Sequence, residues 1–323
     1  MNIGLVGAGS AALRAHLPAL TRAAEADAIA VVGVVDPRFA HRDEVLRRCP
    51  SARAYASVEA LLDDARPDLL VIASPPSTHL AAVRAAFERE VDVVCEKPLG
   101  VAMGDVETLE ELVAIHPDRM LVPVHQYRFA PAWERLCAAA EAATVDQEPL
   151  ELSVEVERPG TDPLSSSGWR AAGLREGGIV GDHGVHYLAL CWNLDAGAAL
   201  RGATLEGESG HESALLELSL DGGHASISVS YAGARRRNHI TLRVGNRSTL
   251  RWLDGELTVL AGDEVVEVST TPALSDRQAV NDLYEPFYDD LLAHRGDAAW
   301  RASRFDETLA VARLLWGAID KVR

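Results

Sequence analysis

The chain opens Asn2-Ile3-Gly4-Leu5-Val6-Gly7-Ala8-Gly9-Ser10-Ala11-Ala12. A short apolar run ends in two glycines one residue apart, and a small residue stands where a third glycine would fall. Such a run reads as a strand, a tight turn and the entry of a helix. Gly7 makes the turn, Gly9 lets a pyrophosphate approach the backbone, and Ala12 lets the helix pack close to the strand. Ser10 and Ala11 then lie at a helix N-terminus, where amide groups and the helix dipole favour a phosphate. The motif has this meaning only within an alternating strand and helix pattern, and the residues that follow supply one.

Strands are expected at Ile3–Val6, Ala30–Val35, Leu69–Ala73, Asp92–Cys95 and Met120–Val124. Helical spacing fills the intervals at Ala11–Ala24, Val58–Asp64, Leu80–Glu88 and Val106–Ile115. Alternation of this kind gives parallel strands joined by right-handed crossovers, a doubly wound Rossmann sheet. Beyond residue 125 the pattern changes. After one helix at Ala132–Ala142, strands dominate: Leu150–Glu157, Ala214–Leu220, Ala225–Tyr231, His239–Val244, Thr249–Leu253, Leu257–Ala261 and Val265–Val268. Leu152, Val154 and Val156 alternate with Ser153, Glu155 and Glu157, which describes an open, mainly antiparallel sheet with one buried face. Ser226, Ser228 and Ser230 make a small polar row suited to solvent or to a second subunit. Helices at Arg277–His294 and Asp306–Val322 close the chain. The expected organisation is a nucleotide-binding domain at 1–124 and an α+β domain for substrate binding and oligomerisation at 125–323.

With 323 residues, 48% hydrophobic and 24% charged, the chain has room for two cores. A net charge of −17 excludes nucleic acid and anionic membranes as general partners, since both require a basic footprint. Cys49, Cys95, Cys137 and Cys191 form no CxxC pair and read as reduced, mostly buried thiols. The first residues read as a strand, so no secretion signal is expected, and no run of eighteen apolar residues occurs. A cytoplasmic protein acting on a small molecule is the expectation.

Two clusters point to chemistry. Asp36 ends the second strand, 27 residues beyond Gly9, against a usual interval of about 20. A carboxylate there hydrogen-bonds a ribose 2′-hydroxyl and repels a 2′-phosphate, favouring NAD, while Arg38 leaves NADP open. The alternative is that Asp36 only caps the next helix. Of 31 basic residues only Lys97 and Lys321 are lysine. Lys97 stands at the mouth of an apolar strand, where an ammonium on a flexible stem does what a guanidinium cannot. Further along, Gly177-Gly178-Ile179-Val180-Gly181-Asp182-His183-Gly184-Val185-His186 reads as a helix entry. Asp182 and His186, spaced i,i+4, would share a face, and a histidine beside a carboxylate is a plausible proton-transfer unit. The competing reading of His186 is a structural histidine. His183 could join them around a metal, but the ligand spacing and a further ligand are missing, so no metal is expected.

In order along the chain, the Gly7-Ala8-Gly9 turn is followed by Ser74-Pro75-Pro76-Ser77-Thr78-His79, Glu96-Lys97-Pro98-Leu99 and Tyr127-Arg128-Phe129-Ala130-Pro131. Gly168-Trp169-Arg170 and the Gly-Gly-x-x-x-Asp-x-Gly-x-His segment complete the series. This ordered set resembles the glucose–fructose oxidoreductase / inositol dehydrogenase (Gfo/Idh/MocA) family. The resemblance implies a nicotinamide-dependent dehydrogenase or reductase for a sugar, cyclitol or related polyol. It implies that Lys97 orients and polarises the reacting oxygen, that His186 takes the hydroxyl proton, and that Asp182 hydrogen-bonds the substrate or Lys97. It further implies a cis peptide before Pro98. Ser74, Pro75, His79 and Glu96 would line the cofactor, with a helix cap the other reading of His79. Trp169, Arg170 and His183 would line the substrate, as would Tyr127 and Arg128 unless they pack against the domain junction. One departure is Ala189, three residues after the histidine, where family members often carry a further Asp.

General chemistry agrees: hydride transfer from an alcohol needs a base near the oxygen and a cation for the developing alkoxide. Because arginine cannot exchange a proton, Lys97→Arg is expected to fail. Two other readings keep the fold. One is an enzyme that uses NAD in a transient redox cycle, as glycosidases and epimerases of the family do; the other is a non-catalytic NAD-binding regulator. Arg235-Arg236-Arg237, the one basic run, reads as a solvated hairpin end or a contact for an anionic substrate group. A homo-oligomer, dimer or tetramer, is expected through the C-terminal sheet.

Overall fold

The computed structural model describes residues 1–26, 29–160, 168–208 and 211–322. These divide into two compact units, 1–124 with 284–309, and 125–283 with 310–323.

In the first unit the strands are β1 (Asn2–Val6), β2 (Ala30–Val35), β3 (Arg53–Ala54), β4 (Leu69–Ile72), β5 (Asp92–Cys95) and β6 (Leu121–Pro123). They form one parallel sheet in the order β3-β2-β1-β4-β5-β6. Chain direction across the sheet reverses between β1 and β4, and ligands of such sheets bind beyond the carboxyl ends of the strands at that point. β4 is buried at every position, as a strand covered on both faces must be. The connecting helices are α1 (Leu17–Ala26), α2 (Phe39–Arg48), α3 (Val58–Ala65), α4 (His79–Phe87) and α5 (Met103–Ile115). A π-helical turn, Ala12–His16, precedes α1 and carries His16 into the core.

The second unit holds α6 (Pro131–Asp146), α7 (Val185–Leu194) and an eight-stranded sheet: β7 (Leu150–Pro159), β8 (Ala199–Glu206), β9 (Ser213–Leu220), β10 (Gly223–Ser230), β11 (Ala232–Val244), β12 (Ser248–Leu253), β13 (Glu256–Ala261) and β14 (Glu264–Thr270). The order is β14-β13-β12-β11-β7-β10-β9-β8, antiparallel except where β7 meets β10. Leu152, Val154, Ile227, Val229, Ile240 and Leu242 fill the buried face. Trp133 of α6, fully buried, donates its indole N–H to Asn193 Oδ1 of α7 at 2.8 Å, tying the two covering helices together.

Several expectations are corrected. The closing segment Arg277–His294 is two helices, α8 (Arg277–Asp282) and α9 (Tyr284–His294), parted at Leu283. Residues 284–309 pack with the first unit, not with the second domain to which the sequence reading assigns them. The last helix, α10 (Ala298–Val322), starts earlier than Asp306. Arg235–Arg237 lie inside β11 where its register with β7 is irregular, not at a hairpin end. The sequence pattern misses α2, in which only Val45 is buried, along with β3 and β8.

Candidate active site

In the first unit, Gly7 has φ +87°, and a Cβ there would lie 2.6 Å from the Ala73 carbonyl. Only glycine takes that conformation against the end of β4 without strain. Gly9 differs: a Cβ there would meet only Arg38 Nη2, at 3.6 Å. The backbone face at Gly9 is therefore an open cradle beside the helix start at Ser10 and Ala11, which suits a pyrophosphate.

Asp36 is buried at the end of β2. Its carboxylate accepts from the Ala8 amide at 2.7 Å and the Arg38 amide at 2.8 Å, and from Arg38 Nε at 3.2 Å and Nη2 at 3.3 Å. Burial works against the charge, but the Arg38 guanidinium and the two amides outweigh it and hold this carboxyl below its ordinary range. Asp36 thus braces the glycine turn, a role beyond the capping or ribose contact read from sequence.

Ser74 Oγ and Thr78 Oγ1 are 2.7 Å apart in the turn after β4, with Pro75 leading into it. His79 is fully buried, with Nε2 2.8 Å from the Ser74 carbonyl and Nδ1 3.0 Å from the Pro98 carbonyl. It is a strut joining the two turns at the sheet's carboxyl edge, and its ring is closed off from any cofactor surface. The Lys97–Pro98 peptide is cis.

Glu96, directly after β5, is the centre of a buried polar group. Its Oε1 accepts from the Tyr284 hydroxyl at 2.5 Å and lies 3.1 Å from His16 Nε2, while Oε2 lies 3.3 Å from the Lys97 amide. His16 Nδ1 in turn meets the Tyr288 hydroxyl at 2.6 Å. Burial favours the neutral acid, yet His16, Lys97 and Tyr284 together bring Glu96 down to about 2. The motif locates Glu96, but nothing in the sequence pattern links it to Tyr284, 188 positions away.

In the second unit, Gly177 (φ +98°) and Gly178 (φ +56°) turn the chain into a π-helical stretch, Val180–Gly184, followed by α7. Asp182 sits in that stretch, so ordinary helical i,i+4 spacing does not describe its relation to His186. Arg170 grips the Asp182 carboxylate through Nε at 2.6 Å and Nη2 at 2.9 Å, and lies over the Trp169 ring at 4.3 Å. Tyr231 donates to Asp182 at 3.2 Å, and His183 Nε2 stands at 3.5 Å. His186 lies flat on Tyr127, ring centres 4.1 Å apart and planes 10° apart. Arg128 reaches over the Phe129 ring. Burial raises the Tyr127 and Tyr231 phenols.

Arg158, at an inward position of β7, is fully buried, a residue the alternation pattern gives no reason to expect. Its Nη1 donates to the carbonyls of Glu157 (2.8 Å) and Arg237 (3.1 Å) and to Asn238 Oδ1 (2.9 Å). Among the described residues no group of three or more His, Cys, Asp or Glu side chains could hold a metal ion. No helix among them is long and apolar enough to cross a membrane.

Residues 1–123 match the Gfo/Idh/MocA oxidoreductase family model, described as an NAD-binding Rossmann fold. The matched residues make up the greater part of the first unit. Inositol 2-dehydrogenase of Acidothermus cellulolyticus is 30% identical over 145 residues, 45% of this chain and 42% of that protein. Glucose-6-phosphate 3-dehydrogenase of Bacillus subtilis is 24% identical over 201 residues, 60% of this chain and 53% of that one. The chain thus spans about half the length of the curated relatives it matches. An oxidoreductase from Agrobacterium radiobacter, crystallised with NAD+, L-tartaric acid and magnesium, superposes with a TM-score of 0.81 at 18% identity, covering 99% of this chain and 96% of that one. This last likeness is one of fold.

Proposed function

We propose that this protein is an NAD(P)-dependent oxidoreductase that transfers hydride between the cofactor and a secondary alcohol of a sugar, cyclitol or related polyol, with NAD preferred. The observation that carries the reading is the pairing of a Rossmann carboxyl edge with a lysine held next to a buried, ionised glutamate. The Gly9 cradle, the Ser10 and Ala11 amides and the Asp36 carboxylate fit a dinucleotide. When bound, its nicotinamide supplies the acceptor or donor of hydride.

The chain's residues have the rest to do. Lys97 stabilises negative charge on the reacting oxygen, and His186 takes the hydroxyl proton during oxidation and returns it during reduction. Stacking on Tyr127 fixes the plane of the His186 ring, so its basic nitrogen keeps one direction. Asp182, gripped by Arg170 and Tyr231, offers substrate hydroxyls an acceptor and holds His183, Trp169 and Arg170 around the histidine turn. Relatives named for inositol and glucose 6-phosphate dehydrogenation favour a polyhydroxylated substrate. We also propose that the exposed face of the second unit's sheet joins copies of the chain into a dimer or tetramer.

The test is a panel of cyclitols, hexoses, amino sugars, uronates and sugar nucleotides, each with NAD and NADP, read as reduced nicotinamide absorbance. Turnover of at least one with NAD is expected. Binding of NAD with no turnover on any, or a preference for NADP, contradicts the proposal.

A further inference from the structure

Glu96 is held by more of the fold than a cofactor contact needs. His16 and Tyr288 are fully buried, and Glu96 and Tyr284 nearly so. They come from three places in the first unit: the π turn before α1, the end of β5, and α9. Two ring contacts pack the same group, His16 edge-on to Tyr284 at 4.9 Å and to Tyr288 at 5.9 Å. A carboxylate buried this far is stabilised only if its lone pairs are met by donors. His16 Nε2, the Tyr284 hydroxyl and the Lys97 amide meet them.

Hydrogen bonds running from Glu96, whose Oε2 accepts from the Lys97 backbone amide, through His16 to Tyr288 invite a reading as a proton relay. Two facts oppose it. The chain ends at a fully buried phenol, with burial and the Glu96 charge pushing Tyr288 well above its usual range. Glu96 itself, at about 2, takes no proton near neutrality. A carboxylate met by three donors and held ionised fixes a charge.

We propose that His16, Tyr284 and Tyr288 are positioning residues that lock the Glu96 carboxylate, as a permanent negative charge, beside Lys97, so that the lysine acts as a fixed cation and not as a proton-exchanging base. This rests on the reading of Lys97 given above and deepens it by leaving base chemistry to His186. The groups facing Glu96 are His16, Tyr284 and Tyr288 from neighbouring elements, and Cys95 and Lys97 from its own segment. It also revises the reason for expecting Lys97→Arg to fail: the compact ammonium and its reach matter, not proton exchange.

The composition supplies the test. With Lys97 and Lys321 the only lysines, a Lys321→Arg chain grown with 13Cε-lysine has a single lysine signal, whose pH titration reads Lys97 directly without any substrate. Removing the charge in Glu96→Gln is expected to lower the titration midpoint by about one pH unit or more. Tyr284→Phe, which keeps the ring and removes one donor, and His16→Gln are expected to lower it by less. Neither Glu96→Gln nor Tyr284→Phe needs the other to fold, so either decides the matter. A Lys97 midpoint unchanged in the folded variants overturns the proposal, because a carboxylate held ionised beside the ammonium raises its midpoint and its removal must lower it. The role of Lys97 in turnover fails separately, if Lys97→Ala retains full activity, whatever the titration shows.

Discussion

At the residue scale, the proposed function gives Asp36 and Arg38 the choice between NAD and NADP. Arg38 neutralises part of the charge that should repel a 2′-phosphate, and its side chain, though bonded to Asp36, is 61% exposed. Arg38→Ala is therefore expected to sharpen discrimination of NADH over NADPH about tenfold, or ~1.4 kcal/mol, in paired fluorescence titrations. Glu96 carries a pH signature. Its folded value of about 2 lies below the ordinary 4.5, so its stabilising effect is complete above the unfolded value and is lost as pH falls from there toward 2. Wild type should lose melting temperature between pH 5 and pH 3 more steeply than Glu96→Gln, and parallel curves would contradict the assignment. Asp36 and Lys97 stood out in the sequence because each follows an apolar strand, and Glu96 only through the motif it shares with the family. His16, Tyr284 and Arg158 were not, since their partners are chosen by tertiary packing and leave no local pattern.

At the element scale, the two glycines of the first turn make separable demands. Gly7→Ala meets both a left-handed φ and the Ala73 backbone, and should destabilise the protein by about 3 kcal/mol in urea unfolding. Gly9→Ala has room for its Cβ and should leave stability within about 0.5 kcal/mol, while NADH affinity falls tenfold or more because the methyl fills the phosphate cradle. Equal stability losses in the two variants would contradict this division. The strongly apolar strands and the alternating β7 were readable because burial of one or both faces writes itself into residue order. β8 was not, because Arg201 and Gly202 interrupt an edge strand whose register slips at that point. The π turns at Ala12–His16 and Val180–Gly184 were equally silent, since one extra residue per turn leaves small and polar residues unchanged.

At the scale of the whole molecule, the return of 284–309 to the first unit explains why a boundary drawn only from the change of pattern near residue 125 was incomplete. Leu215 and Ser228 are cross-strand neighbours on the outer face of the second sheet, and both are exposed. On that face Leu215 and the serine row lie among Glu155, Glu157 and Glu217, and if the proposed self-association uses it, Leu215→Asp should lower the molar mass measured by light scattering toward that of the 34.7 kDa chain. A wild-type monomer would contradict the proposed assembly. The proposed chemistry, finally, turns on Lys97. Its most direct test is the rate of NADH formation across the cyclitol and sugar panel for wild type, Lys97→Ala and Lys321→Ala side by side. The expected result is turnover in wild type and Lys321→Ala, with a loss of a hundredfold or more, about 2.7 kcal/mol, in Lys97→Ala while NADH still binds. Undiminished turnover in Lys97→Ala would contradict it.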